Sequence, residues 1–104
     1  MRSMAAVDKF GKVALERLRL MSCSEVLPLL CTFVKMDPDF MPIKNGHTQR
    51  WHLNVQGRDF ELLTTGPKFF DTHANTGGGG AIDLAMHLTG LPFKQAVKML
   101  EGLM

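Results

Sequence analysis

Four consecutive glycines at residues 77–80 constrain this 104-residue chain more than any other feature of its sequence. Glycine has no Cβ and reaches backbone conformations that other residues avoid, but ordering four of them costs entropy. A flexible linker would not lie between the pair Phe69-Phe70 and an amphipathic segment that begins at Ala81. The glycines therefore predict a tight turn in which the backbone closely approaches either neighbouring β-structure or a bound anion, since free N–H groups at a helix start attract phosphate.

Length and composition indicate a single domain over residues 1–104. The chain is 45% hydrophobic and 21% charged, which is ordinary for a globular protein. No apolar run approaches the ~18 residues that a membrane helix needs, and no secretory signal is evident. Cys23 and Cys31 give no disulfide framework and are expected to be reduced and buried, which favours the cytoplasm. The net charge of +2 is too small to indicate a nucleic-acid partner by itself.

The N-terminal third predicts a pair of helices. Apolar residues recur at helical spacing over residues 4–21, and Ser22 with Glu25 fits a capping box that starts a second helix. A second apolar stripe then runs to Val34, so the helical part is expected to cover about residues 4–35. Pro38 and Pro42 end it, because proline favours extended or turn geometry.

The period then changes from that of a helix to that of a strand. Trp51 and Leu53 alternate with His52 and Asn54, and residues 60–64 alternate in the same way after a turn at Gln56. A second turn at residues 65–67 leads to a short third strand over residues 68–72. Residues 81–88 and a segment from residue 93 onward follow as two short helices. The predicted fold class is α+β: an N-terminal helical pair, a three-stranded antiparallel meander, a Gly-rich turn and two short C-terminal helices.

Several of these pieces together resemble a known family. The pieces are Phe69-Phe70-Asp71, the glycines, the helix over residues 81–88 and the run Phe93-Lys94-Gln95-Ala96-Val97. In this combination they resemble the end of the zinc-ribbon domain (Cys-His-Cys-Cys type) of bacterial DNA primases, and above all the primase-type proteins of plasmids, phages and other mobile elements. The resemblance covers roughly residues 50–100 and makes residues 43–104 a primase-ribbon-like part. It implies a DNA-binding module for single-stranded, forked or primer-template DNA, with a replication helicase, primase or polymerase as protein partner.

The match departs from the family at the metal. Thr72 and Asn75 stand where the resemblance would place ligand cysteines, and neither side chain is a useful zinc ligand. The expectation is therefore a zinc-less version of the domain with no metal and no cofactor. The acidic residues that synthesise primers lie in a separate domain of that family, so this chain is expected to be non-catalytic.

Basic, aromatic and glycine residues around the predicted sheet are the candidate nucleic-acid contacts. Arg50, Arg58 and Lys68 come from three adjacent predicted strands and could converge on one surface. Two alternatives stay open: Trp51 could face the core instead of stacking a base, and the glycines could be a structural turn without phosphate contact. The full candidate set is Lys44, Arg50, His52, Arg58, Lys68, Gly77, Gly78, Gly79 and Gly80.

Two further functions compete with DNA binding. Eight methionines, several of them within residues 36–41 and 99–104, are compatible with an adaptor that recruits a helicase, polymerase or primase without binding DNA itself. Asp83 and His87, four residues apart on one helix, could form a catalytic pair, although each also suits the helix end at which it stands.

Overall fold

The computed structural model describes residues 12–42 and 46–103 of the chain. The first part of the predicted first helix, residues 4–11, and the candidate Lys44 lie outside the described residues. The elements in chain order are α1 (Lys12–Leu20), α2 (Cys23–Leu30), β1 (Phe33–Met36), β2 (Gln49–Val55), β3 (Arg58–Thr65), β4 (Lys68–Asp71), β5 (Thr76–Gly79), α3 (Ala81–Thr89) and α4 (Phe93–Leu103). The predicted α+β class, with helices at both ends of an antiparallel sheet, is confirmed.

The sheet is antiparallel throughout, with its strands in the order β1-β2-β3-β4-β5. Gln56 (φ 53°) and Gly57 (φ 85°) form the two-residue turn between β2 and β3, and Gly66 (φ 58°) lies in the turn between β3 and β4. Such left-handed residues match the twist of the flanking strands, so both predicted hairpins are confirmed.

The first correction is that Phe33–Met36 forms strand β1 and not the end of the second helix. α2 ends at Leu30, and Cys31 already has an extended backbone (φ −101°, ψ 144°). β1 then pairs with β2 through partners such as Phe33↔Asn54 and Lys35↔His52. Aromatic and β-branched residues suit a sheet, and pairing with β2 supplies backbone hydrogen bonds that a longer helix would otherwise have to provide.

The second correction concerns the glycines, three of which form strand β5 and not a turn. β5 pairs with β4 through Phe70↔Gly77 and Lys68↔Gly79, which makes the sheet five-stranded where three strands were predicted. A Cβ on Gly77 would lie 2.8 Å from the backbone oxygen of Phe69, so the close approach to neighbouring β-structure is confirmed. Gly80 follows as the N-cap residue of α3 with φ 92°, a conformation that favours glycine.

One face of the sheet packs against the helices. Leu53, Val55, Leu62 and Phe69 are buried there against residues of all four helices, for example Leu27 of α2. The remaining members of this core are Leu18, Cys23, Val26, Ala81, Ile82, Leu84, Ala85, Leu88, Ala96, Val97 and Leu100. Because the N-terminal and C-terminal helices share this cluster, one core joins the N-terminal helices to the sheet and to the C-terminal helices.

Both cysteines lie at the ends of α2 as free thiols. Cys23 is buried as predicted, while Cys31 is only half-buried. Burial raises the pKa of each thiol to about 11, which disfavours the reactive thiolate. No helix in the described part of the chain is long and apolar enough to cross a bilayer.

Candidate nucleic-acid interface

The second face of the sheet carries no helix from the described residues, and we call it the open face. Side chains alternate between the two faces along each strand, so the strand register assigns every residue to one side. The open face consists of Phe33, Lys35, Arg50, His52, Asn54, Asp59, Glu61, Leu63, Thr65, Lys68, Phe70, Gly77 and Gly79.

Ion pairs occupy the centre of the open face. Arg50 Nε lies 2.9 Å from Glu61 Oε2 and 3.5 Å from Asp37 Oδ2. This Nε is buried without an aligned hydrogen bond, so its contact with Glu61 is ionic in character. His52 lies 3.7 Å from Glu61 and 3.9 Å from Asp37, and His73 reaches the other Glu61 oxygen at 3.1 Å. The Arg50 guanidinium is therefore already matched by carboxylates.

The free positive charges lie away from this centre. Lys35 on β1 and Lys68 on β4 are exposed, and neither forms an ion pair with any described residue. Each has a phenylalanine two residues away on the same face: Phe33 is 54% exposed and Phe70 is 40% exposed. The open face thus has a centre in which Arg50 is ion-paired, flanked by two exposed pairs of aromatic ring and ammonium group.

The predicted basic residues do not all meet on one surface. Arg50, His52 and Lys68 lie on the open face, as the sheet prediction required. Arg58 does not, because it lies two residues from Phe60 on the same strand and therefore shares the helix side of the sheet with it. Its guanidinium lies 5.1 Å from the centre of the Phe60 ring. The expected convergence of Arg58 with Arg50 and Lys68 was therefore wrong; a period-two reading from Arg58 to Leu62 could have shown it.

The glycines have separate environments. Gly77 and Gly79 lie on the open face, whereas Gly78 faces the helices, where a Cβ would meet the Phe69 ring at 3.1 Å. Gly80 packs against Arg19, whose Cα a Cβ would meet at 3.1 Å. The Gly79 N–H donates to Asp83 Oδ2 at 3.3 Å, so a carboxylate of the protein already uses this amide.

Trp51 is half-buried on the helix side, where its indole N–H donates to Thr64 Oγ1 at 2.9 Å. It packs against the core, so the interpretation of Trp51 as a core residue is confirmed. The sequence-based candidate set does not include the two exposed rings of the open face, Phe33 and Phe70. The alternation Lys68-Phe69-Phe70 contains a signal for Phe70, but Phe33 could not be placed while its segment was assigned to a helix.

His87 pairs with a different carboxylate from the one its spacing suggested. Asp83 contacts the Gly79 amide, while His87 Nε2 lies 2.7 Å from Asp71 Oδ2. The second oxygen of Asp71 accepts the backbone N–H groups of His73 and Ala74, each at 3.0 Å. Burial alone would raise the pKa of Asp71, but the hydrogen bonds from His87 and these amides outweigh it and lower that pKa.

His87 therefore pairs with Asp71, and the predicted Asp83–His87 pair does not form. Asp71 ties the loop between β4 and β5 to helix α3. The His87 ring lies against Phe60 and Phe69, with centroid distances of 5.9 and 5.6 Å. No sequence spacing could have revealed the pair, because Asp71 and His87 meet only when α3 packs on the sheet.

The expected positions of the zinc ligands lie in this same loop. Thr72 and Asn75 are both exposed, and Asn75 has a left-handed backbone (φ 55°). Within residues 12–42 and 46–103, no group of three or more His, Cys, Asp or Glu side chains is arranged to hold a metal ion.

Comparison with known proteins does not assign the chain to a family. No family model matches the sequence, and no solved structure matches it. A stretch of 41 residues, 39% of this chain, is 49% identical to part of the "65 kDa protein" of Zymomonas mobilis subsp. mobilis. The chain spans only 7% of the length of that protein, whose name states no activity.

Proposed function

We propose that this chain is a non-catalytic DNA-binding module of a mobile-element replication or primase system, and that it binds single-stranded or primer-template DNA on its open face. One observation carries the proposal: the open face combines exposed aromatic rings with unpaired lysines and has no helix over it among the described residues. Proteins that bind single strands combine a positive surface for the backbone with aromatic side chains on which bases stack.

The resemblance to the primase zinc ribbon supports the same class of ligand. It concerns the β-strands and the two C-terminal helices, which are the elements that form and support this face. The loop between β4 and β5 stands where the family would place zinc, and here Asp71 holds that loop through two backbone amides and His87. A ribbon of this kind keeps its binding surface without the metal.

The test is a titration of a fluorescently labelled oligo(dT) with the full chain over a series of salt concentrations. Each lysine that neutralises a phosphate contributes roughly 0.7 to the slope of log affinity against log salt for single strands. Changing both Lys35 and Lys68 to Ala is therefore expected to weaken binding and to reduce the slope by about 1.4.

Arg58→Ala provides the matched control. It also removes one exposed cation, but from the helix side of the sheet, so it is expected to leave affinity and slope unchanged. Loss of affinity with Arg58→Ala and not with the lysine pair would move the interface off the open face. Absence of binding by the unaltered chain at ~50 mM salt, where phosphate contacts are strong, would reject DNA binding.

The second candidate is a protein-interaction adaptor, favoured by two exposed apolar side chains outside the strands of the sheet. Met41 is 81% exposed and Leu20 is 76% exposed. Such residues suit contact with a replication helicase, primase or polymerase. This function predicts that binding of the partner protein depends on Met41 or Leu20 and is not affected by the Lys35 and Lys68 substitutions.

A further inference from the structure

We propose that the open face contains two equivalent nucleotide sites, each made of a phenylalanine that stacks on a base and a lysine that contacts the adjoining phosphate. The first site is Phe33 with Lys35 on β1, and the second is Phe70 with Lys68 on β4. This inference rests on the proposed DNA-binding function and specifies how the strand would lie on the face.

The two members of each pair are neighbours on one face. Residues two apart on a strand point to the same side and lie about 6.6–6.8 Å apart along it. Both rings are substantially exposed, at 54% for Phe33 and 40% for Phe70. Gly77 lies opposite Phe70 and carries no side chain to cover that ring.

The charges distinguish these pairs from the rest of the open face. Arg50 is held by Glu61 and Asp37, and Asp59 accepts a hydrogen bond from Asn54 at 2.9 Å. The two lysines of the open face form no ion pair with any described residue, and both lie beside the two exposed rings. A single strand of DNA fits such a pair, because its flat bases can stack on the exposed ring and its charged phosphates can contact the ammonium group.

The two pairs also point in the same direction. β1 and β4 are antiparallel to each other, because three antiparallel pairings separate them. The phenylalanine precedes the lysine on β1 and follows it on β4, so the vector from ring to ammonium group has the same sense in both pairs. Nucleotides along a single strand likewise share one direction from base to phosphate, so one strand can satisfy both sites.

The register also sets the separation of the sites. Across the sheet, β1 and β4 are three strand spacings apart, about 14 Å. Along the strands, Phe33 lies level with Asn54 of β2, and Phe70 lies level with Arg50 of β2 through Leu63 of β3. Asn54 and Arg50 are four residues apart, which corresponds to about 13 Å along the strand. The sites are thus about 20 Å apart. A strand stacked at ~3.4 Å per nucleotide needs about six nucleotides to bridge them, and an extended strand needs fewer.

The experiment compares binding of labelled oligo(dT) of increasing length, and of an abasic oligonucleotide with the same backbone, to the full chain. Affinity for oligo(dT) is expected to rise steeply once the strand spans both sites, because the second contact becomes intramolecular. Phe33→Ala and Phe70→Ala are each expected to weaken binding of a bridging oligo(dT) about 5- to 150-fold, the fold-change that corresponds to one lost base stack. Both variants are expected to bind the abasic oligonucleotide as the unaltered chain does.

Phe93→Ala is the matched control, because Phe93 is 41% exposed but lies at the start of helix α4. It is expected to leave binding unchanged. Phe70→Leu keeps apolar volume while removing the flat ring, so it separates stacking from a loss of folding if Phe70→Ala melts at a lower temperature.

The outcomes separate the two proposals. If the unaltered chain binds oligo(dT) but Phe33→Ala, Phe70→Ala and Phe70→Leu bind equally well, the two-site arrangement is wrong while DNA binding stands. Equal affinity of the unaltered chain for the abasic oligonucleotide and for oligo(dT) would also overturn the stacking sites. No binding to any single strand would overturn both proposals.

Discussion

At the scale of single residues, Asp71 is a buried carboxylate that joins two elements of the fold. It is 3% exposed and uses both carboxylate oxygens, one for the amides of the loop after β4 and one for His87 on α3. A buried carboxylate is stable only when its hydrogen bonds are satisfied, and here they come from two separate elements. Asp71 therefore couples the geometry of the loop between β4 and β5 to the position of α3.

Replacing Asp71 with Asn is expected to lower the free energy of unfolding by about 2–4 kcal/mol near neutral pH, because it removes a buried charge that three donors stabilise. Chemical denaturation followed by circular dichroism measures this change. Asp39→Asn is the control, because Asp39 is an exposed turn residue whose carboxylate makes no contact among the described residues.

The same substitution is expected to change the pH dependence of stability. The pKa of Asp71 is lowered in the folded protein from its ordinary value of 3.8, so the folded state binds this proton less tightly than the unfolded state. The stabilisation is complete above that ordinary value and is lost as the pH falls through the lowered pKa. The difference between unaltered protein and Asp71→Asn should shrink over that acidic range; a constant difference would contradict the assignment.

At the scale of elements, strand β5 and its neighbour Gly80 show that adjacent glycines can meet different structural requirements. Gly77 is required by the approach of β4, and Gly80 by a left-handed backbone and by Arg19. Gly79 has neither requirement, since a Cβ there would make only an ordinary contact of 3.9 Å with Lys68 Cγ. The strand therefore contains one position at which the fold alone does not call for glycine.

Gly77→Ala and Gly79→Ala are expected to change the free energy of unfolding in different directions. The first forces a Cβ to within 2.8 Å of the Phe69 carbonyl oxygen and should destabilise the protein by about 1–3 kcal/mol. The second should be neutral or stabilising by up to about 1 kcal/mol, because it restricts the unfolded chain without a clash. Thermal melting of the two variants side by side checks this, and equal destabilisation would show that β5 does not pair with β4 in the described register.

At the scale of the whole molecule, one core joins helices from both ends of the chain to one face of the sheet. That packing leaves the opposite face as the broad surface on which a ligand can lie. A zinc ribbon of this size would use the metal to hold its loops. In this chain, the loop between β4 and β5 is instead held by Asp71, and the core supplies the remaining stability.

Folding is accordingly expected not to require zinc. The melting temperature should be the same with and without a strong chelator, and metal analysis of the purified chain should find no stoichiometric zinc. The basis is Thr72 and Asn75 at the expected ligand positions, together with the lack of a three-ligand cluster among residues 12–42 and 46–103. A stoichiometric zinc whose removal unfolds the chain would refute this expectation.

Local chemistry could be predicted well from the sequence wherever neighbouring residues decide the structure. The hairpin at Gln56-Gly57 follows from turn preference, and the start of α2 from Ser22 and Glu25, whose side chain accepts the Ser22 backbone N–H at 3.1 Å. That Trp51 and Leu53 share one face of the sheet follows from period-two alternation. These features depend on contacts within a few residues, which a pattern in the sequence records directly.

The sequence by itself therefore determined the α+β class, the central hairpins and the residue types available for a nucleic-acid contact. Tertiary structure alone decided that Phe33–Met36 is a strand, that glycines form β5, and that His87 meets Asp71 and not Asp83. It also decided that Lys35 joins the face of Arg50 and Lys68. The physical reason is that strand pairing and helix docking join residues distant in the chain, and the free energy of those contacts overrides the preferences of short segments.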